Sequence, residues 1–269
     1  SWLQQVEGYV AIIRQLMHSF GTIRVYVDGI TAADGETKKV AADATIFEQI
    51  QEAFIDTGNI EVISLIGRDY RTKICYCDTI DLFIANAGTG CVVPLRFNKK
   101  PGVLHSNSSV FTFPDNYPTT VQRTEKKFTS DKQVDSRGGP DHISYHIPWQ
   151  HIFNLTVEVL KQTKDVSIRP LDVPPVAEVA KAYEAQKKVE LARVAAFEIL
   201  EERIKPSYKS ADILRETALA FERAGDLATA LAIMKKALEL RPTGLVLTKK
   251  VAEYRELLKK NGYVAYAEK

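Results

Sequence analysis

The hydrophobic pattern of residues 1 to about 165 alternates between two periods. Apolar residues three or four apart predict an amphipathic first helix with one apolar face, formed by Trp2, Val6, Tyr9, Ile13 and Leu16. Short, nearly continuous apolar runs predict strands in IRVYVDGI, IEVISLIG, DLFIANAG and GVLHSN. DATIFEQIQEAFIDTG and PWQHIFNLTVEVLKQT predict further helices. This alternation indicates an α/β fold, with a Rossmann-like parallel sheet and helices on both faces.

The remaining segments have a different pattern. Residues 111–140 are rich in Asp, Asn, Ser, Pro, Lys and Gly, and we interpret them as a long excursion with a hairpin around TVQRTEKKFTSDKQV. DVSIRPLDVPP predicts a linker, and from Val176 onward nearly all residues are helix formers, beginning with one long helix or a helix pair. The predicted organisation is therefore an α/β domain over 1–165, a linker over 166–175 and an α-helical domain over 176–269.

One part of the helical tail has the spacing of a known repeat. ADILRETALAFERAGDLATALAIMKKALELRP places apolar and small residues in two helical halves around a Gly-Asp turn and ends at a proline: Leu214, Ala218, Phe221, Gly225, Asp226, Ala230, Met234, Ala237 and Pro242. It resembles a tetratricopeptide repeat (TPR), except that Leu214 replaces the large aromatic residue of the first helix. A lone repeat cannot bury its own face, so the resemblance implies packing on other helices, on the first half or on a partner protein.

Composition narrows the class of protein. The chain has 269 residues, 45% of them apolar and 26% charged, as expected for a soluble protein of two domains. A net charge of +2 gives no electrostatic argument for nucleic acid as a partner, and no apolar run approaches the roughly 20 residues of a membrane span. The first residues lack a methionine and a signal peptide, which predicts a piece of a longer chain. Three cysteines then indicate reduced thiols and a cytoplasmic location, with peripheral association at the inner face of the membrane as an alternative.

Polar and glycine residues follow each predicted strand. They lie at 28–29, 67–69, 86–90 and 105–109. Ligands of open parallel sheets bind beyond the carboxyl ends of the strands, so these four positions are the predicted binding edge.

The glycine-rich segment NAGTG has two interpretations. Glycines allow close backbone approach, so Gly88, Thr89 and Gly90 could hold a phosphate, with the Thr89 hydroxyl donating and the following helix offering free N–H groups. The alternative is a tight turn without a ligand. Val93 occupies the third glycine position of a dinucleotide fingerprint, and no Gly-Lys-Ser/Thr follows, so neither standard phosphate motif is present.

IGRDYRTK places three cations beyond another strand. A guanidinium suits a diphosphate because its fork donates two parallel hydrogen bonds, and Arg68 is nearest the strand end. Arg71 and Lys73 fit ordinary charges of a solvated loop better, and Asp69 is a possible ion-pair partner of Arg68.

Two residues are candidates for general base catalysis. Asp28 is the best-placed carboxylate, although its Asp-Gly context also suits a plain turn. His105 is the other, with a structural hydrogen-bonding role as its alternative, and Ser106 and Asn107 beside it suit a ribose, a base edge or a sugar hydroxyl. His142 and His146 are four residues apart, but Pro148 and the β-branched run argue against a helix there, so no metal site is predicted.

The order of elements in residues 20–165 resembles the nucleotide-sugar-binding half of a glycosyltransferase of the GT-B type. The resemblance is carried by DLFIANAGTG, then RFNKKPGVLHSN, then IPWQHIFNLTVEVL. It implies that Gly88, Thr89 and Gly90 face the donor diphosphate and that Arg68 neutralises it. The implied function is transfer of a sugar from a nucleotide sugar to a glycan or protein acceptor, without a metal or a cofactor.

Two departures from that family shape the expectation. No glutamate is placed to hold a ribose, and there is one Rossmann-sized half, so the acceptor half and the catalytic base are expected outside this chain. The main alternative is a non-catalytic scaffold whose TPR-like helices bind a partner protein. Another nucleotide-using α/β enzyme is a further alternative.

Overall fold

The computed structural model of the chain describes residues 1–108, 118–132, 143–203 and 208–260. The fold is mixed α/β, with small parallel sheets and a helical C-terminal region. Two compact units are present, 1–183 and 184–269. The predicted linker, 166–175, contains no helix or strand.

Three small sheets make up the β-structure of the first unit. In the first sheet, β1 (Ile23–Val27) pairs in parallel with β2 (Ile60–Ser64). In the second sheet, β4 (Gly102–His105) lies between β3 (Phe83–Asn86) and β5 (Val121–Arg123), again all parallel. β6 (Ser130–Lys132) pairs antiparallel with β7 (Ser144–His146).

Two expectations are corrected by this pairing. The predicted single Rossmann-like sheet is not present as one sheet among the described strands, because no hydrogen-bonded ladder joins the first sheet to the second. The predicted hairpin around TVQRTEKKFTSDKQV does not form either. Its two arms pair with different strands, because β5 pairs with β4 of the second sheet and β6 pairs with β7.

Helices pack on the two parallel sheets. They are α1 (Gln5–Leu16), α2 (Ala41–Glu52), α3 (Tyr70–Asp78) and α4 (Trp149–Lys164). On one face, α1 and α2 pack on Val25 and Val27 of the first sheet, and α1 and α4 pack on Val103 of the second. On the other face, the ring of Tyr26 lies 5.3 Å from that of Tyr76 in α3. Packing of α1 on both sheets therefore connects them where strand hydrogen bonds do not.

The segment after β3 is not the regular short helix that its sequence predicts. It forms a 3₁₀ turn (Thr89–Cys91) and then a π-helical turn (Val92–Phe97). Cys91 and Leu95 of this segment are buried against Phe83 and Leu104. The buried side chains thus fix the segment against the second sheet, while Thr89 and Gly90 remain exposed.

The N-terminal residues precede the first helix and join the sheet region. The backbone N–H of Leu3 donates to Tyr145 O at 2.9 Å, and the indole N–H of Trp2 donates to Ile147 O at 3.0 Å. Trp2 is therefore buried outside α1 rather than on its predicted apolar face. A Cβ on Gly8 would lie 2.0 Å from the Trp2 ring, so only glycine leaves room for the indole there.

The second unit contains the helical C-terminal region. After α5 (Val176–Arg203), which begins in the first unit, come α6 (Tyr208–Arg223), α7 (Leu227–Leu240) and α8 (Leu245–Lys260). The apolar positions picked out by their spacing share one core cluster: Leu214, Ala218, Ala230, Met234 and Ala237 are buried, and Phe221 packs against them. Gly225 turns the chain with φ +81°, and the Asp226 side chain accepts from Thr229 N–H at 3.1 Å as the cap of α7.

Candidate functional site

The second sheet brings three strand ends to one edge. The register pairs Asn86 with His105 and Leu104 with Arg123, so the residues that follow these strands are neighbours. Because the strands are parallel, this is a carboxyl edge, where ligands of such sheets bind. We call 86–90, 105–107 and 124 the second-sheet edge.

The two glycines of NAGTG differ in how far the fold around them requires glycine. Neither has a positive φ, and a Cβ built on Gly90 would meet no atom within 4 Å. A Cβ on Gly88 would meet only the side-chain oxygen of Asn86, at 3.1 Å. Gly67 differs, since its φ is +69° and a Cβ would lie 1.6 Å from the carbonyl oxygen of Lys38. The tight turn explains Gly67, and the close Asn86 oxygen disfavours a side chain at Gly88, but neither effect explains Gly90.

Buried hydroxyl groups lie on the adjacent strand ends. The side chains of Ser106 and Thr124 are 1% and 2% exposed, and their oxygens have no hydrogen-bond partner among the described residues. A buried polar group without a partner costs about 1–3 kcal/mol. Such groups are uncommon in folded proteins, and a bound water or ligand is a usual explanation. Asn107 is also buried, and its amide donates to Ile143 O at 3.3 Å.

His105 lies between two tyrosine hydroxyls in a hydrogen-bonded chain. Its Nδ1 lies 2.8 Å from the Tyr145 hydroxyl and its Nε2 lies 3.1 Å from the Tyr9 hydroxyl. Burial lowers the pKa of His105 to about 3 and raises the pKa of both tyrosines, so all three groups are neutral at ordinary pH. With both ring nitrogens engaged, the geometry favours the structural role of His105 over the catalytic one.

Asp28 lies at the edge of the first sheet and is bound to a buried lysine. Lys73 is fully buried in α3, and its Nζ lies 2.5 Å from the Asp28 carboxylate. The same ammonium donates to Gly29 O at 2.8 Å, Ile30 O at 3.1 Å and the Thr31 hydroxyl at 3.0 Å. The Lys73 ammonium therefore binds both the Asp28 carboxylate and the loop after β1, which favours the turn role for Asp28. Lys73, expected in a solvated loop, is the cation that organises this loop.

Arg68 remains accessible while its neighbours are engaged. Asp69 is not its ion-pair partner, because its carboxylate caps α3 by accepting from Thr72 N–H at 2.8 Å. The hydrogen bonds that the Asp69 carboxylate accepts lower its pKa. Arg71 pairs with Asp34 at 2.8 Å. The Arg68 side chain is exposed, and within the described part of the chain it makes no hydrogen bond or ion pair.

The predicted site residues thus divide into two groups. The second-sheet edge brings together Gly88, Thr89, Gly90, His105, Ser106 and Asn107. Asp28 and Arg68 follow strands of the first sheet, which is not hydrogen-bonded to the second.

Three residues of this region were missed by the sequence analysis. They are Tyr9, Thr124 and Tyr145, which lie on other elements. Tyr9 and Tyr145 meet His105 across 96 and 40 residues of sequence, and no local pattern marks such a pairing.

The described residues contain neither a cluster of metal ligands nor a helix that could span a membrane. In residues 1–108, 118–132, 143–203 and 208–260, no group of three or more His, Cys, Asp or Glu side chains is arranged to hold a metal ion. His142, one half of the histidine pair considered above, lies outside the described residues. None of the described helices is both long and apolar enough to cross a membrane.

Comparisons with protein families, with curated proteins and with solved structures found no match to this chain.

Proposed function

We propose that this chain is the donor-binding part of a metal-independent glycosyltransferase of the GT-B type, which transfers a sugar from a nucleotide sugar to a glycan or protein acceptor. In this proposal, the two parallel sheets and their helices are a Rossmann-like domain, and the TPR-like helices contact a protein partner. The observation that carries the proposal is the second-sheet edge. It combines Gly90, a glycine that the fold does not require, with two buried hydroxyls that have no partner among the described residues.

The chemistry of the edge suits a diphosphate with attached sugars. A missing side chain at Gly90 lets a phosphate approach the backbone, and Thr89 beside it is exposed and can donate its hydroxyl. At the same edge, Ser106 has a hydroxyl without a partner among the described residues. Arg68 supplies positive charge, which stabilises a diphosphate leaving group without a metal. The catalytic base comes from the acceptor half, since Asp28 and His105 are already engaged within this chain.

A ligand-binding experiment tests this proposal. Thermal unfolding is measured with uridine, guanosine, adenosine and cytidine diphosphates and with their common sugar conjugates. A ligand at about 100 times its dissociation constant adds about 2.7 kcal/mol to the stability of the native state, which is a readily measured shift. No shift with any of these compounds would refute donor binding and favour the non-catalytic scaffold.

Two matched pairs of variants locate the site. Gly90→Val should abolish the shift while Gly58→Val should preserve it, because both positions are sterically open but Gly58 precedes β2 at the opposite end of its strand. Arg68→Ala should weaken binding about tenfold, the scale of a lost charge-assisted hydrogen bond. Arg71→Ala is its control, since Arg71 is equally charged but paired with Asp34. Equal affinities within both pairs would remove these residues from the site.

A further inference from the structure

The hydrogen-bonded chain at the second-sheet edge ends on an exposed side chain with a fixed orientation. The Asn86 carboxamide donates from Nδ2 to the Tyr145 hydroxyl at 2.7 Å. That hydroxyl can in turn donate its proton to Nδ1 of His105, 2.8 Å away, which leaves the ring proton on Nε2 to donate to the Tyr9 hydroxyl at 3.1 Å. The chain thus runs from Asn86 inward through Tyr145 and His105 to Tyr9.

This orientation leaves the other end of the carboxamide facing the glycine turn. With Nδ2 bound to Tyr145, the Oδ1 atom of Asn86 lies 3.1 Å from the place where a Cβ of Gly88 would be. Asn86 is exposed, and its Oδ1 accepts no hydrogen bond from any described residue. The glycine turn therefore has a hydrogen-bond acceptor beside Gly88.

We propose that Asn86 recognises a hydroxyl group of the ligand, and that Tyr145 and His105 are the positioning residues that hold its carboxamide for this purpose. The inference rests on the proposed function and deepens it. A phosphate oxygen is itself an acceptor and is repelled by Oδ1, whereas a hydroxyl donates to it. The diphosphate therefore lies toward Gly90, and a hydroxyl of either the ribose or the transferred sugar binds Oδ1 of Asn86.

The burial of its partners allows this hydrogen-bonded chain to hold Asn86 in one orientation. Tyr145 and His105 are 1% and 3% exposed, so the orientation of Asn86 is set by groups that solvent does not disturb. A carboxamide on the surface would otherwise turn freely between its two faces. Fixing the acceptor before the ligand arrives reduces the entropy that binding must overcome.

Calorimetric titrations with hydroxyl-bearing and hydroxyl-free probes test the inference. The probes are inorganic pyrophosphate, uridine diphosphate and UDP-glucose, with guanosine diphosphate and GDP-mannose in parallel. Asn86→Ala should lower the affinity for the nucleotide probes about three- to tenfold, the scale of one neutral hydrogen bond. Its affinity for pyrophosphate should stay within about twofold of the wild-type value. A loss already present with the nucleoside diphosphates assigns the contact to the ribose. A loss confined to the sugar conjugates assigns it to the sugar.

Tyr145→Phe removes the acceptor of the Asn86 amide and should produce the same selective loss. If this buried variant fails to fold, the exposed Asn86→Ala variant still decides the question. Asn59→Ala, which removes a surface amide bonded to Gly21 O, is the control and should change no affinity. An equal loss for pyrophosphate and nucleotides in Asn86→Ala, or no loss at all, would overturn the hydroxyl contact alone. A wild-type protein that binds none of the nucleotides would overturn the proposed function and this inference together.

Discussion

Replacement of Lys73 by methionine tests whether a single buried ammonium holds the loop after β1. The change keeps the length of the side chain and removes a charge that bonds Asp28 and three further acceptors between 2.5 and 3.1 Å away. Breaking a buried ion pair by removing one partner costs about 3–5 kcal/mol. The Asp28 side chain is 33% exposed and can be hydrated once the lysine is gone, which places the cost near the lower limit. We therefore expect a loss of about 3 kcal/mol.

Both tryptophans of the chain, Trp2 and Trp149, lie in the first unit, so tryptophan fluorescence in a urea titration reports the stability of that unit. The corresponding thermal shift is roughly 6–12 °C for a unit of this size. Arg71→Met is the control on the same helix. Its ion pair with Asp34 is exposed, at 82% and 55% for the two side chains, so the loss should stay under about 1 kcal/mol. Equal losses for the two variants would refute the reasoning, because burial would then not distinguish the cations.

Three further predictions concern conformation, charge and capping. Gly67→Ala should destabilise the first unit by more than about 2 kcal/mol, because it combines a positive φ with a backbone clash, whereas Gly90→Ala should change stability by less than about 1 kcal/mol; similar urea midpoints would contradict this. The low pKa of His105 means that unfolding below about pH 6.5 takes up a proton there, so His105→Asn should reduce the fall in stability between pH 6 and pH 4 by about 1.4 kcal/mol per pH unit. Parallel stability curves of variant and wild type would argue against a buried neutral ring. Asp226→Ala should cost the second unit about 1–2 kcal/mol by removing the cap of α7, as measured by circular dichroism, and an unchanged midpoint would exclude that role.

The strands and the long helices were predictable because their patterns are local. The apolar runs that end at Val27, Ser64, Asn86 and His105 all form parallel strands. The helix α3 was not predicted, since YRTKICYCD has no apolar period and begins because the Asp69 side chain caps it. The grouping of the strands into sheets could not be predicted either, because apolar runs indicate strands but do not show which strands pair with each other.

The candidate site could be proposed from residues that follow predicted strands, but their surroundings could not be predicted. The sequence places glycines after β3, but it does not show whether their φ angles or their neighbours require glycine. For Asp28 and His105 the residue types suggested catalysis, whereas the partners that the structure brings to them favour structural roles. Lys73 reaches Asp28 across 45 positions and Tyr9 reaches His105 across 96. Such pairings are properties of the tertiary structure, which no short motif contains.

The placement of Trp2 has a consequence for synthesis on the ribosome. The Trp2 indole is hydrogen-bonded to Ile147, and the backbone of Leu3 is hydrogen-bonded to Tyr145. Both partners are synthesised more than 140 positions later in the chain. At about 5–20 residues per second, this interval lasts roughly 7–30 s. Throughout it, the indole N–H lacks its acceptor, Ile147 O, and the ring lacks its packing partner Tyr145. A nascent chain halted before β7 would therefore leave the contacts of Trp2 incomplete.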